Sequence, residues 1–131
     1  MLKVVNGRRG FTLIELLIVV AIIGIIAAIA VPTLVSTRGA ALQSKAKANL
    51  RTLSSAQAAY IAKVGTYGSW ANLLAGDYLD DRWVSPFTED GVTYSESVNG
   101  DGLQVFQGKA VVPAPISKTY TIDESGKITE S

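Results

Sequence analysis

The sequence of 131 residues contains no cysteine and no histidine. These absences exclude disulfides, thiol nucleophiles, Cys/His zinc sites and every acid–base scheme that depends on histidine. Aromatic side chains are almost missing from the first part of the chain, because nine of the ten lie from Tyr60 onward. The length of the chain is that of one domain. We expect the soluble core of the protein to form in this later part, which is rich in aromatic residues.

Acidic side chains are missing from two segments of the chain. The small net charge of +1 hides this uneven distribution. Residues 1–10 and residues 36–63 contain basic side chains and no acidic one, whereas residues 64–131 contain ten acidic and four basic side chains. The basic residues lie beside an apolar run and have no aromatic residues between them. This pattern is not that of a nucleic-acid-binding protein, and no nucleic acid is predicted as a partner.

A long apolar run dominates the N-terminal part. Residues 16–31 have no polar side chain, and residues 11–35 carry a single charge, on Glu15. A bilayer core of about 30 Å is crossed by about 20 such residues in a helix, so a membrane-spanning helix is predicted. A cleaved secretory signal is the competing interpretation, but the run continues into a further helical pattern without a break.

Glu15 is unusual in such a run, because a carboxylate inside a membrane helix costs about 2.5–3.5 kcal/mol. One interpretation is that Glu15 reaches the cytoplasmic headgroups. The other is that it meets a cation in an assembly of such helices. Cleavage after Gly10 would create that cation, a free amine on Phe11 that is charged at neutral pH.

A short basic leader ending in Gly10, followed by FTLIELLIVVAIIGIIAAIAVP, resembles the class III signal of type IV pilins and of type II secretion pseudopilins. The resemblance implies that a prepilin peptidase cuts between Gly10 and Phe11 and methylates the amine of Phe11. It implies that Glu15 pairs with this amine when the chain polymerises with itself and other pilin-like subunits at an inner-membrane platform.

Gly24 and Pro32 also match the family pattern, and each of them weakens an α-helix. The resemblance implies that the helix between them loosens inside a filament. The alternative is an ordinary kinked membrane helix, in which glycine and proline are common.

Residues 36–64 predict an amphipathic stem helix that ends at Gly65. Its apolar stripe consists of Leu42, Ala46, Leu50, Leu53, Ala56, Tyr60 and Val64, and its polar side of Lys45, Lys47, Arg51 and Gln57. The predicted organisation is thus a cleaved leader (1–10), a transmembrane and polymerisation helix (11–35), the stem (36–64) and a globular head (65–131).

The sequence of the head predicts a connecting loop over residues 65–91, followed by strands with alternating apolar and polar side chains. Within the loop, Ser69 is the expected cap of a short helix that Gly76 ends. Strands are expected over 92–98, 103–112 and 116–122, with turns at 99–102 and 123–126 and a last short strand after them. The predicted fold class is α+β, a long N-terminal helix packed on a small antiparallel sheet of three to four strands.

No catalytic motif or phosphate-binding loop is present, so an enzyme is not predicted. Acidic residues gather in the loop, namely Asp77, Asp80, Asp81, Glu89 and Asp90. A solvated acidic surface is the preferred interpretation; calcium, which needs six to eight oxygen ligands, is the alternative. No metal or other cofactor is predicted.

The predicted function is that of a structural subunit, anchored by one span in the bacterial inner membrane with its head in the periplasm. A pseudopilin that supports type II secretion is the leading hypothesis, since many type IV pilins close a C-terminal loop with a disulfide and this chain cannot. A major or minor pilin of a surface pilus is the alternative. A non-polymerising membrane receptor or adhesin is the third, and the junction at Gly10 and Phe11 argues against it.

Overall fold

The computed structural model describes residue 7, residues 9–98 and residues 106–131. The chain divides into two compact units, Met1–Thr37 and Arg38–Ser131. The elements are helix α1 (Leu13–Val64), helix α2 (Trp70–Ala75) and strands β1 (Phe87–Glu89), β2 (Val92–Val98), β3 (Phe106–Val112), β4 (Lys118–Ile122) and β5 (Ile128–Glu130). The strands form one antiparallel sheet in the order β1-β2-β3-β4-β5. The predicted α+β class is confirmed.

The core of the second unit lies between α1 and one face of the sheet. Strand residues alternate as a half-buried sheet requires, and those that point to the core are Val92, Tyr94, Ala110, Val112, Tyr120 and Ile122. From α1, Leu50 and Leu53 reach zero exposure against them. Gly108 of β3 permits this close packing, since a Cβ there would lie 2.5 Å from Leu53 Cδ2.

The sheet has five strands rather than three or four, because β1 lies inside the segment expected to be a loop. Glu89 pairs with Val92 across a two-residue turn formed by Asp90 and Gly91, whose φ angles are 51° and 86°. Two positive φ angles define the hairpin turn that Asp-Gly favours. The signal was present in the sequence, but Phe87–Glu89 is too short to show an alternating pattern.

Two residues of the stem lie elsewhere than predicted. Gln57, expected on the polar side, is 1% exposed. Its side-chain amide bonds the backbone of Gly68 in both directions, donating from Nε2 to the carbonyl oxygen at 2.5 Å and accepting from the N–H at 3.1 Å. Val64, expected on the apolar stripe, is 52% exposed, because α1 ends there and Gly65 turns away at φ 87°.

The predicted short helix is present as α2, and the Ser69 side chain accepts the N–H of Asn72 at 3.2 Å. The C-terminal cap differs from the expectation in one detail. Gly76 keeps a negative φ, and the left-handed residue is Asp77, with φ 58°. The N–H groups of Asp77 and Tyr78 bond the carbonyls of Leu74 and Leu73, which is the Schellman pattern.

An aromatic cluster fills the end of the core near α2. The rings of Trp70 and Trp83 meet edge to face at 5.2 Å between centroids, and Phe87 stacks on Tyr94 at 4.7 Å. Trp70, Trp83 and Tyr94 are buried, and Phe87 is half-buried. These aromatic residues are therefore core residues, as the sequence indicated.

The C-terminal hairpin forms as predicted between β4 and β5. Asp123 caps its turn by accepting the N–H groups of Ser125 and Lys127, and Gly126 has a φ of 76°. The predicted turn at 99–102 and the predicted strand start at 103–105 lie outside the described residues.

Candidate assembly site at the start of the long helix

A capping box opens α1 at Thr12 and Glu15. Glu15 Oε2 accepts hydrogen bonds from the backbone N–H and the hydroxyl of Thr12, both at 2.8 Å. In return, Thr12 Oγ1 accepts the N–H of Glu15 at 3.3 Å. A Thr at the N-cap and a Glu three residues later are the pair that satisfies unpaired donors at a helix start.

Sequence reasoning missed this role of Thr12, although the T-x-x-E spacing before an apolar run is its signature. The box supplies Glu15 with partners from its own chain. Both bonds end on Oε2, and Oε1 accepts none from any residue that the structure describes. A carboxylate oxygen has room for further donors, so Glu15 combines a fixed orientation with an available acceptor.

The predicted cleavage junction lies just before this box. Gly10 and Phe11 precede the helix, in backbone without helical hydrogen bonds, and Phe11 is 82% exposed. No heavy atom lies within 4 Å of a Cβ built on Gly10. Exposed, irregular backbone is where a peptidase gains access. The structure thus brings Gly10, Phe11, Thr12 and Glu15 together within one turn of the helix start.

Gly24 and Pro32 lie inside α1, which is assigned as continuous helix from Leu13 to Val64. Pro32 has no N–H for the carbonyl of Ala28, and one residue later the Thr33 hydroxyl adds a bond to the Ile29 carbonyl at 2.9 Å. The predicted loosening concerns a filament, so it stays a prediction.

The surface of the first unit is apolar and uncovered. Its large apolar side chains from Phe11 to Val35 are between 47% and 82% exposed. At about 25 cal/mol per Å² of apolar surface, such a surface is strongly driven to leave water. The helix is long and apolar enough to cross a membrane, with a mean hydropathy of 3.1 over its best 18 residues. Lipid or other helices are the surroundings in which this segment is stable.

Three of the five acidic residues in the loop of the second unit, Asp80, Glu89 and Asp90, are in ion pairs. Lys45 of α1 contacts Asp90 and, at 3.4 Å, Glu89; Arg82 contacts Glu89 at 3.0 Å and Asp80 at 3.1 Å. The hydrogen bond from Lys45 lowers the pKa of Asp90 and, in turn, raises the pKa of Lys45.

Burial alone would raise the pKa of Glu89. The hydrogen bond from Asn49 and the charges of Arg82 and Lys45 outweigh burial, so the pKa falls below its ordinary value. Among the described residues, no three acidic side chains converge as a metal site.

Comparison with known proteins agrees with this geometry. A family model described as the prokaryotic N-terminal methylation motif matches residues 5–31. The type IV narrow pilus major component PilA5 of Thermus thermophilus is 36% identical over 106 residues, which cover 76% of this chain and 88% of that protein.

Two further relatives match over shorter segments. The type IV major pilin protein PilA of Myxococcus xanthus is 52% identical over 65 residues, 50% of this chain. A fimbrial protein of Moraxella nonliquefaciens is 74% identical over 27 residues, 21% of this chain. The matched segments span only 30% and 18% of these two relatives.

The exposed apolar helix, the capping glutamate in its first turn and the head built on an antiparallel sheet are the features of a filament subunit with a membrane anchor. The chain belongs to the type IV pilin superfamily and carries its class III signal. It is thus a type IV filament subunit, and its relatives are structural proteins.

Proposed function

We propose that the chain is a pilin that builds a type IV pilus. The observation that carries this proposal is the 36% identity that extends over 88% of a major pilus component. Identity over that length includes the head, which the shared N-terminal signal alone would not explain. This supports the pilus hypothesis over the secretion hypothesis that the sequence first favoured.

In this proposal, prepilin peptidase cuts between Gly10 and Phe11 and methylates the new amine. The mature chain waits in the inner membrane with its head in the periplasm and enters the filament at an assembly platform. There Glu15 Oε1 accepts the amine of a neighbouring Phe11, while Oε2 stays on Thr12. The apolar surface of residues 11–35 exchanges lipid for other helices. We propose no cofactor for these steps.

The second candidate is a pseudopilin of type II secretion, and the absence of cysteine favours it, since many pilins close a C-terminal loop with a disulfide. Quantitative mass spectrometry of a deletion strain separates the two candidates. Loss of sheared filaments with an unchanged set of secreted proteins supports the pilin. Loss of secreted proteins with filaments intact supports the pseudopilin.

The N-terminus of the purified protein tests processing directly. We expect a mature chain that starts at Phe11 and carries one methyl group on its amine. A chain that still starts at Met1 would contradict processing and would favour a single-span receptor or adhesin.

A further inference from the structure

Among the cations on the stem part of α1, Lys45 and Lys47 have a partner within their own unit, whereas Arg51 and Lys63 have none among the described residues. Lys63 lies in the last turn, where a cation suits the helix dipole, so Arg51 is the unpaired cation inside the helix. Lys45 pairs with Asp90 and Glu89, and Lys47 lies 5.0 Å from the centre of the Tyr120 ring. The side chain of Arg51 is exposed and meets no acidic side chain in the part of the chain that the structure describes. A guanidinium offers five donors in a fixed fork, so this group is available for a carboxylate.

Arg51 leaves the helix on a different side from Lys45. It follows Lys45 by six residues, and at 3.6 residues per turn the two side chains leave the helix about 120° apart. Lys45 marks the side of β1, where it reaches Glu89. Around Arg51 the helix carries one other cation, Lys47, a turn earlier, and exposed side chains that are small or neutral, namely Ser44, Ala48, Ser55, Ala58 and Ala62.

Acidic side chains remain unpaired on the other side of the same unit. In the segment between α2 and β1, Asp80 is held by Arg82, whereas Asp77 and Asp81 are exposed and have no basic partner among the described residues. Because Arg82 also reaches Glu89, this segment lies on the Lys45 side of the helix. Arg51 and Asp81 therefore lie on different sides of the unit, and no ion pair joins them within one molecule.

Two complementary groups on different sides of one molecule satisfy each other only between copies. Such a contact is heterologous, and its repetition gives a ring or an open helical assembly rather than a two-fold dimer. The proposed filament corresponds to the open case. We propose that Arg51 of one subunit forms an ion pair with Asp81 of the neighbouring subunit, with Asp77 adding to the acidic side. The inference rests on the proposed filament function. The contact fixes the register between heads, because charge complementarity contributes more to specificity than to affinity.

Charge reversal tests the pair in a strain whose wild-type chain yields sheared filaments. We expect Arg51→Glu and Asp81→Arg each to reduce the filament yield by about tenfold or more, since each places like charges in contact. The double variant, which restores an opposite pair, should return to within about threefold of wild type. Asp81 is chosen over Asp77 because Asp77 has a φ of 58°, where a longer side chain adds backbone strain.

The matched control is Arg51→Glu combined with Glu124→Arg, which has the same net charge as the rescuing double variant. Glu124 is exposed, in the turn between β4 and β5, and this turn contacts the same stretch of α1, since a Cβ on Gly126 would lie 3.2 Å from Ser54 Oγ. The control therefore restores the net charge beside this stretch within one molecule, without the contact between copies. Rescue by Asp81→Arg and not by Glu124→Arg supports the pair. Equal rescue by both, no rescue by Asp81→Arg, or no loss in the single variants overturns it.

Crosslinking supplies a second, independent measurement, since the chain has no cysteine of its own. A short bifunctional thiol reagent applied to filaments of the Arg51→Cys/Asp81→Cys variant should give a ladder of multimers. The Arg51→Cys/Glu124→Cys variant should give no ladder of multimers, because its two cysteines lie on the same side of one molecule. A ladder only in the control pair would overturn the proposal. If the wild type yields filaments but the Arg51–Asp81 tests fail, only the ion pair is contradicted and the proposed pilin function stands. If the wild type yields no filaments, the pilin function itself is contradicted.

Discussion

Helix α1 contains two segments that treat apolar side chains in opposite ways. In residues 13–35 the large apolar side chains are exposed on every side of the helix. In residues 38–64 the apolar positions form one stripe, and Ala46, Leu50 and Leu53 are fully buried against the sheet. The first segment can be stabilised only by lipid or other chains, so it serves association. The second is stabilised by its own chain, so it serves folding.

The largest effect is expected at Glu15, which acts in the first segment. Glu15→Ala should leave membrane insertion intact and abolish filament assembly, because the acceptor for a neighbouring amine is lost. Sheared filaments and membrane-bound subunit, both measured by immunoblot, check the two halves of this expectation.

Glu15→Gln separates the two roles of this side chain. A glutamine at this position still caps the helix through its carbonyl oxygen but carries no charge. We expect it to fail in assembly as well. Wild-type filament yield from Glu15→Gln would show that capping, and not charge pairing, is what assembly needs.

The next effect concerns Gln57 in the second segment. Gln57→Ala leaves the buried N–H and carbonyl of Gly68 without their partners, and each such group costs about 1–3 kcal/mol. We expect a loss of roughly 2–4 kcal/mol in the free energy of unfolding. The fluorescence of Trp70 and Trp83, both in the head, reports this transition in detergent-solubilised protein. The control Ser44→Ala, at an exposed position of the same helix, should stay within about 0.5 kcal/mol of wild type.

An added methyl group tests the packing around each segment, at Gly24 within the first and at Gly108 of β3, which contacts Leu53 of the second. Gly108→Ala places a Cβ 2.5 Å from Leu53 Cδ2 and 3.1 Å from Ile122 Cγ2, and overpacking of this kind costs about 1–3 kcal/mol. Gly24→Ala meets nothing within 4 Å and removes a weak helix former. Only the Gly108 variant should lower the unfolding temperature of the head. An equal fall for Gly24→Ala would contradict the independence of the two segments.

The smallest effect is a pH dependence at the pairs of Lys45. The folded pKa values of Glu89 and Asp90 lie below their ordinary values of 4.5 and 3.8. Their stabilisation is therefore present above those values and is lost as the pH falls through the lowered ones. The raised pKa of Lys45, ordinarily 10.5, gives the mirror case: its contribution is lost as the pH rises through the folded value.

Thermal unfolding of wild type and Asp90→Asn as a function of pH checks this expectation. The variant should show a flatter decline at the acidic end, and the difference should be small because the pair is exposed to solvent. Identical acidic declines would mean that the pair contributes nothing to folding.

Much of the fold followed from local signals in the sequence. Helix α1 ends before Gly65 and helix α2 begins after Ser69, both as expected, because caps and turns depend on the backbone within a few residues. The apolar stripe through Leu50 and Leu53 predicted which face is buried. Strand β4 and the hairpin after Ile122 also form as predicted, because an alternating pattern and the turn residues that follow it are local signals. The roles of Gly10, Phe11, Glu15, Gly24 and Pro32 remain predictions.

Other features depended on contacts between residues far apart in sequence. Gln57 appeared polar and exposed, and its burial follows from a loop that returns to it eleven residues later. Strand β1 has only three residues, and it becomes a strand because β2 offers it a partner.

The sequence by itself determined that a long apolar helix carries a single acid, Glu15, in its first turn, since both features depend on residues adjacent along the chain. The tertiary structure alone decided which charges are paired within the molecule. Lys45 finds Glu89 and Asp90 across the fold, while Arg51 and Asp81 find no partner among the described residues, because a pairing of distant charges depends on where the folded backbone places them.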